Sequence, residues 1–195
     1  MDFMEQKILV EVSARHVHLT QEHVEVLFGK GAVLEPRKEL TTPGLFACKQ
    51  RVDVVGPKGT LHGVTILAPL RKYTQIELSK TDARVLGIDV PIRMSGDLEG
   101  TPGCTLVGPA GSLELDKGLI VAHRHVHLPT AVAEEWGVKK DDVVALEVND
   151  DGRDLILKNV FVRLSTSAGP FVHIDTDEGN AAGIAGKTYG KLIRV

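Results

Sequence analysis

With 195 residues, 43% of them hydrophobic and 25% charged, the chain is long enough for one large domain or two small ones and has an ordinary globular make-up. A net charge of −3 and an aromatic content of 4% give neither a general basic field for nucleic acid or anionic membrane nor a surface of stacking rings, so an anionic ligand must be met by local cations. Two isolated cysteines, Cys48 and Cys104, suggest no disulfide framework, no apolar run approaches the roughly 20 residues of a membrane span, and the start lacks the pattern of a secretory signal; a reducing bacterial-type cytoplasm is the expected address.

Ile8 to Val12 reads as a first strand, and Thr20 caps a helix that ends near Gly29. Val52 to Val55 and Val64 to Leu67 read as strands either side of the turn Gly56-Pro57-Lys58-Gly59. Gln75 to Leu78, Val90 to Arg93 and Leu113 to Leu115 follow, the last after the turn Gly108-Pro109-Ala110-Gly111. Thr130 is expected to cap a second helix ending near Gly137. Val143 to Val148 and Leu155 to Leu164 flank the turn Asn149-Asp150-Asp151-Gly152, and Leu192 to Val195 closes the chain. Many short strands with tight turns and few helices indicate a mainly β fold of barrels or sandwiches with small helical caps.

An internal repeat organises these elements. Ala14-Arg15-His16-Val17-His18-Leu19-Thr20 returns 109 residues later as His123-Arg124-His125-Val126-His127-Leu128-Pro129. A second, gapless match sets Ile76-Glu77-Leu78-Ser79-Lys80-Thr81-Asp82 on Val172-His173-Ile174-Asp175-Thr176-Asp177-Glu178, 96 residues later, so that Glu77 falls opposite His173. The difference between the two spacings fits an excursion around Gly29 to Lys49 in the first half.

On a strand, residues i and i+2 share a face, so His16 with His18, and His125 with His127, can converge on one ion while Val17 and Val126 face the core. A third donor from a separate strand, Glu77 in one half and His173 in the other, leaves open coordination positions, as a catalytic site requires. Imidazole and carboxylate suit zinc, cobalt, nickel or iron. With no redox signature, zinc is the expected ion, two per chain. His123 shares the strand face of His125 and is either a ligand, a partner behind the ligands or the strand's end. His23 and His62 lack partners at useful spacing and are expected on the surface, and neither cysteine is required as a ligand. Arg15 and Arg124 point away from the histidine face, in structural roles or at a barrel mouth. Arg71, in the turn before Glu77, is either a solvated arginine or a fork for an oxyanion beside the metal. Ser95 is either a turn residue or a substrate contact. Walker-type loops, a Rossmann fingerprint and a nucleophile elbow do not occur.

Ser13-Ala14-Arg15-His16-Val17-His18-Leu19, Gln75-Ile76-Glu77-Leu78, Arg93-Met94-Ser95-Gly96-Asp97, the segment from His123 to Leu128 and the segment from His173 to Asn180 together resemble the PduL-type phosphotransacylases, or phosphate propanoyltransferases, from about Lys7 to Arg194. The resemblance implies the reversible reaction of acyl-CoA with phosphate to give acyl phosphate and coenzyme A, on a short acyl chain, propanoyl or acetyl. It implies two tandem related six-stranded β-barrels capped by short helices, with a dinuclear zinc site between them. One barrel would combine residues 7–14 with 123–195, and the other would span 15–122 with a hairpin excursion at about 29–49. The family's ligand pattern maps onto His16, His18 and Glu77 at one metal and onto His125, His127 and His173 at the other. Arg71 maps onto its phosphate-contacting arginine, the catalytic residue expected here. Met1 to Gln6 is too short for the targeting helix of microcompartment members, so a free cytoplasmic enzyme of acetate or propionate metabolism is expected. A homodimer is compatible with the resemblance; nucleic acid and membrane partners are not expected. Two other readings use the same ligands: a dinuclear metallohydrolase of thioesters or phosphoesters, and a non-catalytic metal-binding module.

Overall fold

A computed structural model describes residues 7–149 and 153–194. The expected turn at Asn149 to Gly152 lies outside these from Asp150 on, as do the segment ahead of the first strand and Val195. The chain is mainly β and divides into two compact units: residues up to Ala14 with those from His123 on, and residues Arg15–Ala122.

The first unit is a closed six-stranded barrel. Its strands are β1 (Lys7–Ser13), β11 (His125–Pro129), β12 (Val143–Val148), β13 (Leu155–Ser165), β14 (Phe171–Asp175) and β15 (Lys187–Arg194), in the order β1-β14-β11-β13-β12-β15. β1 closes the ring by pairing in parallel with β14 and antiparallel with β15. Period-two alternation sends one face of each strand inward, so Val10, Val126, Leu146, Val160, Val162 and Val172 are fully buried in one apolar cluster. Two short helices cap it, α3 (Thr130–Glu135) and α4 (Thr176–Ala182). The expected Thr130 cap is displaced by one residue: Pro129 is the N-cap, without a side-chain hydrogen bond, and Thr130 begins the helix. Proline's locked φ matches the extended backbone of an N-cap, here φ −55° and ψ 141°, and its neighbour's hydroxyl is left inside the first turn.

The second unit is a curled nine-stranded sheet rather than a second closed six-stranded barrel. Its strands are β2 (His16–His18), β3 (Pro36–Glu39), β4 (Phe46–Val55), β5 (Thr60–Ala68), β6 (Gln75–Glu77), β7 (Ile92–Arg93), β8 (Thr105–Val107), β9 (Ser112–Glu114) and β10 (Leu119–Ala122). Their path, β7-β10-β6-β2-β5-β4-β8-β9 with β3 beside β4, stays open, because the terminal strands β7 and β9 are only two and three residues long. β3 and the start of β4 form a hairpin in the 29–49 region. Here α1 (Gln21–Phe28) begins where expected, with Thr20 Oγ1 accepting from His23 N at 3.2 Å, and ends at Gly29. Its buried Val24 and Leu27 join Val17, Val54, Ile66, Ile76 and Leu106 in the second core.

Two helices had no place in the sequence expectation, α4 and α2 (Lys80–Leu86). Both are seven residues long and both open with a capping box, Ser79 with Asp82 and Asp175 with Glu178. Both stop at a left-handed glycine, Gly87 at φ 74° and Gly183 at φ 74°, a conformation costly for residues carrying a Cβ. Among the described residues, no helix is long and apolar enough to cross a membrane.

Candidate metal centre

In the sheet unit, β2 is only three residues long and lies between β5 and β6. Its antiparallel register with β6 sets His16 opposite Glu77, Val17 opposite Ile76 and His18 opposite Gln75. Val17 and Ile76 are fully buried in the core, so alternation places His16, His18, Glu77 and Gln75 together on the opposite face. One ligand atom from each of His16, His18 and Glu77 lies within 4.8 Å of the others. His16 Nε2 is 3.5 Å from Glu77 Oε2.

Hydrogen bonds decide how that carboxylate presents itself. Glu77 Oε1 accepts from Gln75 Nε2 at 2.6 Å and from Ser95 Oγ at 3.1 Å, which leaves Oε2 turned to the histidine. Ser95 Oγ also accepts from Gln75 Nε2 at 2.9 Å and from Arg71 Nη1 at 3.2 Å, and Gln75 Oε1 accepts from Gly96 N at 2.7 Å. Ser95 thus links the arginine to the carboxylate. Burial, then the neighbouring His16 and Arg71, push the His18 imidazole down to about 3, so it is neutral at physiological pH. Its buried Nδ1 has no hydrogen-bond partner among the described residues.

In the barrel unit, the register of β11 with β14 sets His125 opposite His173, with Val126 and Val172 in the core. One ligand atom from each of His125, His127 and His173 lies within 4.8 Å of the others. His125 Nδ1 is 2.8 Å from the carbonyl oxygen of His123. A carbonyl only accepts, so Nδ1 donates this bond, and in the neutral ring Nε2 is then the nitrogen with the free lone pair. That Nε2 sits 3.1 Å from His127 Nε2, and the His127 ring stacks on Phe171 with centroids 4.5 Å apart. Burial is the main reason His127 is held down to about 3, with His125, His173 and Arg163 adding to it and Glu11 opposing. The ring of His123 packs on Phe161, 4.7 Å between centroids, outside the three-donor group; its backbone carbonyl is what serves the site.

The arginines that precede the two motifs tie the ligand strands to the capping helices. Arg15 Nη1 donates to Asp82 Oδ1 at 2.8 Å, and Arg124 Nε pairs with Glu178 Oε1 at 2.7 Å. Asp82 and Glu178 are the repeat-equivalent N3 residues of α2 and α4. Each arginine therefore fastens the strand bearing two donors to the helix that follows the strand bearing the third. His62 is exposed and pairs with Asp53 at 2.7 Å. His23 departs from its surface expectation: it is half-buried, its Nδ1 2.7 Å from Thr74 Oγ1. Cys48 and Cys104 are buried and free.

These donor sets suit a divalent transition ion. Each offers three short-range donors, their imidazoles include two held neutral by burial, and an unpartnered buried imidazole nitrogen is an atom that coordination satisfies. The structure thus gathers all six predicted donors into two groups, with Arg71 and Ser95 beside the first. Gln75 and Glu11 were missed. Gln75 stood two residues before Glu77, on the same strand face, and that spacing was its only signal. Glu11 has Oε2 3.4 Å from His173 Nε2, and its Oε1 is held by the Lys187 ammonium.

The family model described as phosphate propanoyltransferase matches residues 9–185. Curated relatives bearing that name include one from Listeria monocytogenes, 45% identical over 191 residues, which are 98% of this chain and 89% of the relative. One from Thermotoga maritima is 49% identical over 178 residues, 91% of this chain and 85% of its own. One from Salmonella typhimurium is 47% identical over 184 residues, 94% of this chain and 87% of its own.

Proposed function

The chain belongs to the phosphate propanoyltransferase family, and from that premise we propose that it transfers a short acyl group, propanoyl or acetyl, reversibly between coenzyme A and phosphate at a dinuclear zinc centre. The observation that carries this reading is that the family match spans both three-donor groups, His16, His18 and Glu77, and His125, His127 and His173. Zinc bound there would supply a Lewis acid for developing oxyanions and stabilise the coenzyme A sulfur as a thiolate.

The chain's own residues supply the rest. Arg71 binds phosphate through its planar fork, which matches two phosphate oxygens at once. Its hydrogen bond to Ser95 fixes the guanidinium relative to Glu77, so the anion is oriented rather than merely attracted. A phosphate oxygen forms a bond to the thioester carbonyl carbon. The tetrahedral adduct then collapses with cleavage of the carbon–sulfur bond, the electron pair leaving on sulfur, and acyl phosphate and coenzyme A are the products. Arg71 offsets charge on the phosphate and on the adduct. No side-chain nucleophile is required.

The reaction's second product tests this. Propanoyl-CoA and phosphate incubated with the zinc-loaded protein should give a hydroxylamine-trappable acyl phosphate in one-to-one ratio with free coenzyme A. Release of coenzyme A accompanied only by propanoate would instead mark a metallohydrolase.

A further inference from the structure

We propose that Glu11 is the anionic member of the metal site in the barrel unit, supplying there the negative charge that Glu77 supplies in the sheet unit. The inference rests on the reading that each three-donor group holds a divalent ion.

The repeat makes the comparison possible. Glu11 stands five residues before His16, and Ile120 stands five residues before His125, so the two positions are equivalent. Ile120 pairs in parallel with Glu77, and Glu77 pairs with His16. Glu11 pairs in parallel with His173, and His173 pairs with His125. Each unit therefore carries a row across three adjacent strands: Ile120, Glu77, His16 in one and Glu11, His173, His125 in the other. Each row contains a single carboxylate, displaced by one strand between the two units.

Charge explains the displacement. With neutral imidazoles, a divalent ion held by His16, His18 and Glu77 keeps one net positive charge. Three imidazoles alone leave two net charges in the barrel unit, and Glu11 brings that site to the same value. Glu11 is only 8% exposed, whereas the equivalent Ile120 is apolar and fully buried. Burying a carboxylate is costly unless a cation answers it. Lys187, whose side chain is 58% exposed, answers Oε1, while Oε2 faces His173 Nε2 at 3.4 Å. From there the carboxylate either accepts the imidazole N–H and strengthens the ring as a donor through its other nitrogen, or lends Oε2 to the ion. Both contacts place its charge on the same ion.

The test is chelator competition on the zinc-loaded protein, with the wild type, Glu11→Gln, Glu11→Ile and Lys187→Met. Glu11→Ile installs the residue that the other unit holds at this position. Both Glu11 variants should bind one of the two ions about 10- to 100-fold more weakly and the other unchanged, with an altered cobalt spectrum for the weakened site. Lys187→Met should keep both affinities. Wild-type affinity for both ions in the Glu11 variants would overturn the proposal. So would equal weakening in Lys187→Met, which would make Glu11 and Lys187 a structural ion pair. A wild type that takes up no ion would overturn the metal reading itself, and this inference with it.

Discussion

Arg71 is anchored at both ends: its backbone N–H donates to Leu19 O at 2.9 Å and its Nη1 to Ser95 Oγ at 3.2 Å. In the proposed role, a side chain so placed would bind phosphate with little further loss of rotamer freedom. Arg71→Ala should lower kcat/KM for phosphate by between about tenfold and a hundredfold, the range for one charge-assisted contact. Bound zinc should be unchanged, and phosphate titrations with metal analysis check both. Cys104 offers a different residue-scale prediction. Burial pushes its thiol up from 9.0 to about 12. The unfolded chain therefore loses this proton near pH 9 while the folded chain keeps it, so stability falls as pH rises from about 9 towards 12. The slope approaches about 1.4 kcal/mol per pH unit. Urea unfolding at pH 8 and pH 10 should show that loss, and Cys104→Ala should reduce it. At this scale the gathering of His16, His18 and Glu77, and of His125, His127 and His173, was legible because His-x-His twice over, with a third residue fixed by the second match, is a strand-face pattern. Gln75 and Glu11 were not. A glutamine's role depends on which hydrogen bonds it makes, and Glu11 meets His173 only because β1 pairs with a strand near the other end of the chain.

At the scale of elements, the paired clamps Arg15–Asp82 and Arg124–Glu178 each set a partly exposed arginine on a largely buried acid. The Arg15 and Arg124 side chains are 45% and 28% exposed, but those of Asp82 and Glu178 only 8% and 16%. Burial raises the Glu178 carboxyl even against the pull of Arg124, so removing the arginine alone leaves a poorly solvated acid. Arg124→Gln and Arg15→Gln should each cost about 2 kcal/mol by denaturant unfolding, because each leaves a buried acid without its cation. The double variant Arg124→Gln with Glu178→Gln should be less destabilised than Arg124→Gln alone, because no charge is then stranded. The helices that receive these clamps were missed although their signals were present. Ser79 with Asp82 before Gly87, and Asp175 with Glu178 before Gly183, are start and stop signals, but seven residues carry too little apolar periodicity to announce a helix between them. Strands such as β8 and β10 escaped for a related reason: three or four residues beside a turn are defined by the partners they meet, not by their own pattern.

At the scale of the whole molecule, one sequence repeat has produced two different sheets. The barrel closes because β1, at the start of the chain, fills the gap between β14 and β15. The other unit has no comparable strand long enough to close its path, and ends in β7 and β9. The mainly β class was readable from strand length and turn chemistry, whereas closure was not, since it depends on pairing between distant segments. What the two units share is a three-donor group on the face opposite a valine-rich core, and the proposed function needs both groups. The most direct test follows free thiol released from propanoyl-CoA by the zinc-loaded protein, with and without phosphate, before and after chelation. The account predicts release that requires phosphate, disappears on chelation, and returns when about two zinc ions per chain are restored. Release indifferent to phosphate, or none from fully metal-loaded protein, would contradict it.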